Sequence, residues 1–256
     1  MDWSEKNWLE EDKLFFPKRK VNNRDSKNIS HVIGHLYSYK MKRTVGWESF
    51  WGEYLFYQYL ELDFDTIRYY EQPVEVPVVN LKKENELNVW AHVPDVLVFR
   101  QGHKPLLYQI KGGNSEPESE LDSLINFKCR EFVKEREWIY HIIRPKELPE
   151  VIKSNILLLR HFQRPRTYYT SWEKELVQKI SYLSGVSILE LANSFSGKTD
   201  YRLILPLVYH LITRGVLKTN INVDINEKSI VQLGNIGEAL TEFIGGVDGN
   251  AGQIRN

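Results

Sequence analysis

The chain has 256 residues, enough to bury a sizeable core in one or two domains, and its 34 basic and 34 acidic side chains leave a net charge of +0. A single cysteine, Cys129, excludes an internal disulfide framework, and with no second Cys or clustered His beside it, it completes no zinc site and is expected to pack on a helix. The neutral balance argues against tight DNA binding by this chain alone, because phosphate affinity is carried by uncompensated Lys and Arg.

Met1 to Asp12 is acidic, rich in Trp and Leu, and lacks the continuous apolar core of a signal peptide. Pro17 to Arg43 is basic, with Lys18, Arg19, Lys20, Arg24, Lys27, Lys40, Lys42 and Arg43 against one acid, Asp25. Lys18, Arg19, Lys20, Lys40, Lys42 and Arg43 are the candidate phosphate contacts, and residues 1–45 read as an N-terminal acidic and basic arm. The alternative for such a segment is a solvated arm with no partner.

Trp47 to Glu61 has helical spacing, with Trp47, Phe50, Trp51, Tyr54 and Leu55 as one apolar stripe. Glu53 stands at the border of that stripe, where a carboxylate is costly to bury without a partner such as a metal. Val74 to Val79 reads as a strand, with Pro77 marking an edge or bend, and Lys82 to Glu86 as a charged loop. Val96 to Phe99 and Leu106 to Ile110 form a hairpin around Gln101-Gly102-His103-Lys104. Gly112-Gly113-Asn114-Ser115 breaks the chain, Ser119 to Lys134 is helical, and Trp138 to Ile143 is a further strand. Glu147 to Phe162 is a helix leading out of this α/β core, which spans 46–164 and ends at Gln163-Arg164-Pro165-Arg166.

Residues 165–235 read as a small winged-helix-like domain. Its helices are Ser171 to Leu183, with Ser171 as N-cap, then Ile188 to Phe195, then one capped by Thr199 or Asp200 and ending near Gly215. Val216 to Thr219 and Ser229 to Leu233 are wing strands around the loop Asn222 to Lys228. The third helix offers Lys198, Arg202, His210 and Arg214 rather than a dense basic face, which favours protein contacts or supporting DNA contacts over base reading. Pro206 in its interior is expected to kink it. Its apolar run, Leu203 to Ile212, is about ten residues, too short to span a bilayer. Residues 236–256 are Gly-rich and read as a flexible tail with a short helix near Ile236 to Ile244.

The chemistry concentrates in Glu53, the Pro94-Asp95 pair and Gln109-Ile110-Lys111. A hard divalent cation takes oxygen ligands and keeps several waters. Asp95 supplies the central carboxylate, Glu53 a second, Gln109 an amide oxygen and Ile110 its main-chain carbonyl. Side chains two apart on a strand share a face, so Gln109 and Lys111 project together. A lysine there orients water or stabilises charge developing on a phosphate. Taken singly, a Pro-Asp pair is usually a turn and a strand-end Lys a surface charge. The joint order suits Mg²⁺-dependent phosphodiester cleavage, with Mn²⁺ as substitute.

The segments Arg43-Thr44-Val45-Gly46-Trp47-Glu48-Ser49-Phe50-Trp51-Gly52-Glu53, Arg68-Tyr69-Tyr70-Glu71-Gln72-Pro73, Pro94-Asp95 and Gln109-Ile110-Lys111 resemble the TnsA endonuclease of Tn-seven-like transposons. The likeness runs on through Glu137-Trp138, Ile139 to Ile143 and Asn155 to Leu159, covering Arg43 to Leu159 well and the rest loosely. It implies a restriction-endonuclease-like nuclease domain followed by a winged-helix-like one. The implied activity is nicking of double-stranded DNA at the 5′ transposon ends, with a TnsB-like transposase cutting and joining the 3′ ends and a TnsC-like AAA ATPase as regulator. Glu53, Asp95, Gln109 and Lys111 take the family's active-site places. Gln at 109 rather than Glu removes one negative charge and leans metal affinity on Glu53 and Asp95. The implied setting is the bacterial cytoplasm. Rival readings are a stand-alone restriction or repair endonuclease and a non-catalytic DNA-binding assembly factor.

Overall fold

The structure is a computed structural model that describes residues 1–19, 32–81, 87–112, 118–237 and 239–240. Lys20, Arg24 and Lys27, the loop Lys82 to Glu86, Gly113 to Ser115 of the chain break and residues 241–256 of the tail lie outside these. The chain is a mixed α/β protein whose described residues divide into two compact units, one of Met1–Phe56 with Asp65–Glu147, the other of Tyr57–Phe64 with the chain from Leu148 to Leu240. The second unit thus opens upstream of Gln163-Arg164-Pro165-Arg166.

The first unit begins with α1 (Leu9–Leu14), followed by an antiparallel hairpin of β1 (Gly34–Ser38) and β2 (Arg43–Trp47). The sequence reading assigned neither strand and started a helix at Trp47. The structure instead keeps Trp47 in β2 and begins the helical segment at Phe50. The reason is local: Ser49 is extended, and its side chain accepts from the Gly52 N–H at 3.1 Å, capping a helix that starts after it. The first turn, Phe50–Tyr54, is π-helical, with the Tyr54 N–H bonded to the Ser49 carbonyl at 2.9 Å. Such turns frequently mark functional positions. The helix then continues as α2 (Leu55–Leu62), which the division between the units crosses.

The core of this unit is a four-stranded sheet of β3 (Thr66–Glu71), β6 (Val96–Arg100), β7 (Leu106–Ile110) and β8 (Ile139–Ile143), in that spatial order. β3, β6 and β7 pair antiparallel, and β8 lies parallel to β7. β4 (Val76–Leu81) and β5 (Leu87–His92) form a separate antiparallel ribbon; β4 reaches further than the expected Val79, and β5 is an additional strand. Every residue of β6 is buried, as expected of a continuous apolar run in the middle of a sheet. Parallel pairing of β7 with β8 requires a crossover, supplied by α3 (Glu120–Lys134), whose N-cap is Ser119. Cys129 is buried on α3, and Tyr140 Oη donates to Asn126 Oδ1 at 2.7 Å.

The N-terminal residues belong to this unit. Trp3, Trp8 and Phe15 surround Phe99 of β6 at centroid distances of 5.1, 5.0 and 6.1 Å. These ring contacts explain why a stretch that reads as an acidic, Trp-rich arm is held against the sheet.

The first unit ends in a 3₁₀ turn, Pro145–Glu147, and in the second the expected helix Glu147 to Phe162 is α4 (Glu150–Leu159), followed by a 3₁₀ turn, Arg160–Phe162. Then come α5 (Glu173–Ser181), β9 (Val186–Ser187), α6 (Ile188–Asn193), α7 (Tyr201–Thr213), β10 (Leu217–Lys218) and β11 (Ile230–Leu233). Ser171 does not cap α5; it ends a 3₁₀ turn, and Trp172 holds the cap position without a side-chain bond. Ser187 caps α6 in a reciprocal capping box with Glu190, and Asp200 caps α7. α7 runs on through Pro206. Gly215 closes it at φ +69°, where a Cβ would lie 2.8 Å from the Phe64 ring. The two expected wing strands pair, and β9, absent from the sequence reading, adds a third strand to give the order β10-β11-β9. The Asn155 amide fastens the loop before β11, donating to the Ile221 and Val223 carbonyls at 2.9 and 2.8 Å and accepting from the Ile225 N–H at 2.9 Å.

Candidate active site

The antiparallel pairing of β6 with β7 decides the geometry. Asp95 immediately precedes β6 and Gln109 and Ile110 end β7, so the start of one strand meets the end of its neighbour at one sheet edge. The Asp95 N–H bonds the Tyr108 carbonyl at 3.1 Å, and its carbonyl accepts from the Gln72 N–H at 2.8 Å. Gln72 itself sits at φ +47°, a strained region for a residue with a side chain. Asp95 Oδ2 accepts two hydrogen bonds of 2.5 Å, from the Ile110 N–H and from Gln109 Nε2.

Glu53 arrives from the π-turn. Gly52 lets that turn approach β7: a Cβ there would stand 3.2 Å from Ile110 Cγ2 and 2.8 Å from Ser49 Oγ. Glu53 is 5% exposed, and its Oε2 accepts from the Glu48 N–H. Burial, then the nearby charge of Asp95, pushes the Glu53 carboxyl up to about 8, against the Glu48 N–H. Burial pushes Asp95 up to about 7, opposed by the Ile110 N–H and by the positive charges of Arg19 and Lys111. Each carboxyl therefore has one oxygen held by a main-chain N–H, and among the described residues nothing donates to Asp95 Oδ1 or Glu53 Oε1.

Lys111 follows β7 on the Gln109 face, and its ammonium bonds Asp122 Oδ1 at the start of α3. That bond, then those of Ser119, holds the Asp122 carboxyl below its ordinary value. His92, the last residue of β5, places Nε2 2.8 Å from Gln109 Oε1, and burial lowers its pKa. Gln109 thus bridges His92 and Asp95.

The sequence reading brought together Glu53, Asp95, Gln109, Ile110 and Lys111, and all five lie at this edge. It missed Asp122 and His92. Asp122 stands three residues past a helix-capping Ser, which reads simply as an acidic first turn, and His92 stands three residues before Asp95 in His92-Val93-Pro94-Asp95. Among the described residues, no three of His, Cys, Asp and Glu converge as a metal-holding group; the oxygens that could hold a cation here are those of the two carboxylates, the Gln109 amide and the Ile110 carbonyl.

The candidate DNA contacts are less alike than their sequence suggests. Arg43 forms a two-pronged pair with buried Glu71 at 2.6 and 2.5 Å. Arg19 bonds Glu48 Oε2 at 2.6 Å. Lys18 Nζ donates to the Leu14 carbonyl at 2.8 Å and Lys40 Nζ to the Thr66 carbonyl at 2.5 Å. Lys42 is exposed at φ +53° between β1 and β2, and Lys20 lies outside the described residues. Compared with known protein families and with curated proteins, the chain matches none. No helix among the described residues is long and apolar enough to cross a membrane.

Proposed function

We propose that this chain is a Mg²⁺-dependent DNA endonuclease of the TnsA kind, with a restriction-endonuclease-like first unit and a winged-helix-like second one. The observation that carries the reading is the pair of buried carboxyls, Glu53 and Asp95. Each is pinned by a main-chain N–H on one oxygen, carries its other oxygen without a hydrogen bond among the described residues, and is raised in pKa. Two such groups are costly together, and a divalent cation offsets that cost. Glu53, Asp95 and the oxygens of Gln109 and Ile110 are the groups to hold it. A bound Mg²⁺ or Mn²⁺ would supply Lewis-acid activation of the phosphodiester and of the attacking water.

The side chains do the rest. Asp95 is oriented by Ile110 and Gln109, and Glu53 by the π-turn. Lys111, steadied by Asp122, places a positive charge on the Gln109 face for a phosphate oxygen, where it stabilises charge that grows during hydrolysis. Water adds across one phosphodiester bond, leaving a phosphate monoester and a hydroxyl. In the second unit, the third helix was expected to favour protein or supporting DNA contacts over base reading, and three of the four groups it offers have partners within the unit. Lys198 pairs with Glu175, Arg202 with Asp200, and His210 Nδ1 with the Phe162 carbonyl at 2.6 Å. Together with the neutral net charge this favours delivery to transposon ends by a TnsB-like transposase and a TnsC-like AAA ATPase.

The test is nicking of a plasmid carrying the transposon ends, with Mg²⁺ or Mn²⁺, with and without the transposase. The expected result is metal-dependent nicking at 5′ ends that needs the partner and is abolished by Asp95→Ala. Cutting without the partner would mark a stand-alone nuclease. No cutting by a folded chain with all partners present would leave an assembly factor.

A further inference from the structure

We infer that His92 is a positioning residue of the candidate nuclease site, fixing the Gln109 amide through an Nε2–H donor so that Asp95 is held in one orientation. This rests on the metal-nuclease reading above for its consequence, though not for its geometry. The amide of Gln109 has one acceptor end and one donor end. Its nitrogen lies 2.5 Å from Asp95 Oδ2, an acceptor, so its oxygen must be the end that faces His92, at 2.8 Å. A carbonyl oxygen cannot donate, so the ring nitrogen that meets it carries the proton. The imidazole is thereby set with its proton on Nε2, and the three side chains form one directed chain from His92 through Gln109 to Asp95.

That chain explains how an uncharged residue serves beside two buried carboxyls. Asp95 alone sets which end of the Gln109 amide faces it, but a single bond leaves the amide able to swing away. A donor from His92 at Oε1 adds a second anchor and holds the amide in place. It also leaves the second lone pair of Gln109 Oε1 available, since a carbonyl oxygen accepts twice. His92 ends β5 and Asp95 precedes β6, with only Val93 and Pro94 between them, and Pro fixes its own φ. The donor and the carboxylate it steadies therefore sit on one short, stiff segment. Outer residues that orient the groups around a metal typically change affinity or activity roughly 10–100-fold when removed.

The experiment uses the full chain. In the wild type, long-range ¹H–¹⁵N spectra of the imidazole report which ring nitrogen bears the proton, and calorimetry measures Mn²⁺ binding for wild type, His92→Leu, His92→Gln and Asp95→Ala. The expected results are an Nε2–H imidazole, Mn²⁺ affinity weakened roughly 10-fold or more in His92→Leu, and substantial recovery in His92→Gln, whose amide can still donate. Recovery by a donor is not expected of a residue that merely fills space. An Nδ1–H imidazole, or His92→Leu binding Mn²⁺ as wild type does, overturns the inference. If His92→Leu fails to fold, the spectra and the His92→Gln affinity decide it, with a loss as large as that of Asp95→Ala counting against it. Wild type and Asp95→Ala binding Mn²⁺ equally would overturn the metal reading itself, while the imidazole spectra still decide the hydrogen bond.

Discussion

Asp95 and Glu53 carry opposite consequences for stability and for activity. Both carboxyls bind protons more readily in the folded chain than their ordinary values of 3.8 and 4.5 allow, since they rise to about 7 and about 8. Between those limits the folded state holds more protons than the unfolded one, so metal-free stability falls as pH rises and levels off above about pH 8. Asp95→Asn keeps an acceptor for the Ile110 and Gln109 donors and removes one charge. Thermal melting in chelator should show it above wild type at pH 8, with the difference vanishing near pH 4. A wild-type midpoint that climbs from pH 5 to 8 would count against these buried carboxyls. Lys111 belongs to a different step. An ammonium is no metal ligand, so Lys111→Ala should cut turnover by roughly 10²–10³-fold, as loss of a charge-stabilising donor does, while calorimetric Mn²⁺ affinity changes far less. Lost metal binding in a folded variant would assign Lys111 another role. Gln109 and Lys111 were legible as a pair because strand alternation puts them on one face, and Asp95 because it opens the apolar run of β6. His92 and Asp122 were not, since their meaning comes from partners 17 and 11 residues away.

Elements were easiest to read where one local rule acts alone. β6 and β7 announce themselves as apolar runs flanking a Gly-containing turn, and α3 as a capped amphipathic stretch. The segment after β2 was harder. Its aromatic residues have helical spacing from Trp47 on, yet the extended Ser49 cap and the hairpin with β1 hold Trp47 in a strand. Periodicity cannot announce a partner strand elsewhere in the chain, and for the same reason β5 and β9 went unread: each exists only because β4 or β11 is there to pair with it. The α6 capping box gives a prediction at this scale. Ser187 accepts from the Glu190 N–H at 3.1 Å, while the Glu190 carboxylate accepts from the Ser187 N–H at 3.1 Å. Ser187→Ala should destabilise by about 1 kcal/mol, lowering the melting midpoint by roughly 2–4 °C for a chain of this size. An unchanged midpoint, with α6 intact by amide exchange, would show the cap to be dispensable.

For the whole molecule, the proposed function makes a prediction about DNA products. One carboxylate pair faces one strand at a time, and the sequence suggests no second nuclease site. If this chain cuts only the 5′ strand, Asp95→Ala should leave the transposase joining 3′ ends and convert simple insertions into joined products with the donor attached. Sequencing insertions from a strain carrying that variant checks this; simple insertions at normal frequency would remove the chain from 5′ cleavage. The order in which the site's parts appear along the chain carries one more consequence. Asp95 receives its two donors from residues 14 and 15 positions later. A nascent polypeptide that has left the ribosome only as far as Leu106 already contains Glu53 and Asp95, but neither donor to Asp95 Oδ2. Until translation passes Ile110 and the hairpin closes, Asp95 lacks both of the donors that hold its Oδ2. The hold on Asp95 is therefore completed by hairpin closure when fewer than half of the 256 residues have emerged, not when the carboxylate itself is made.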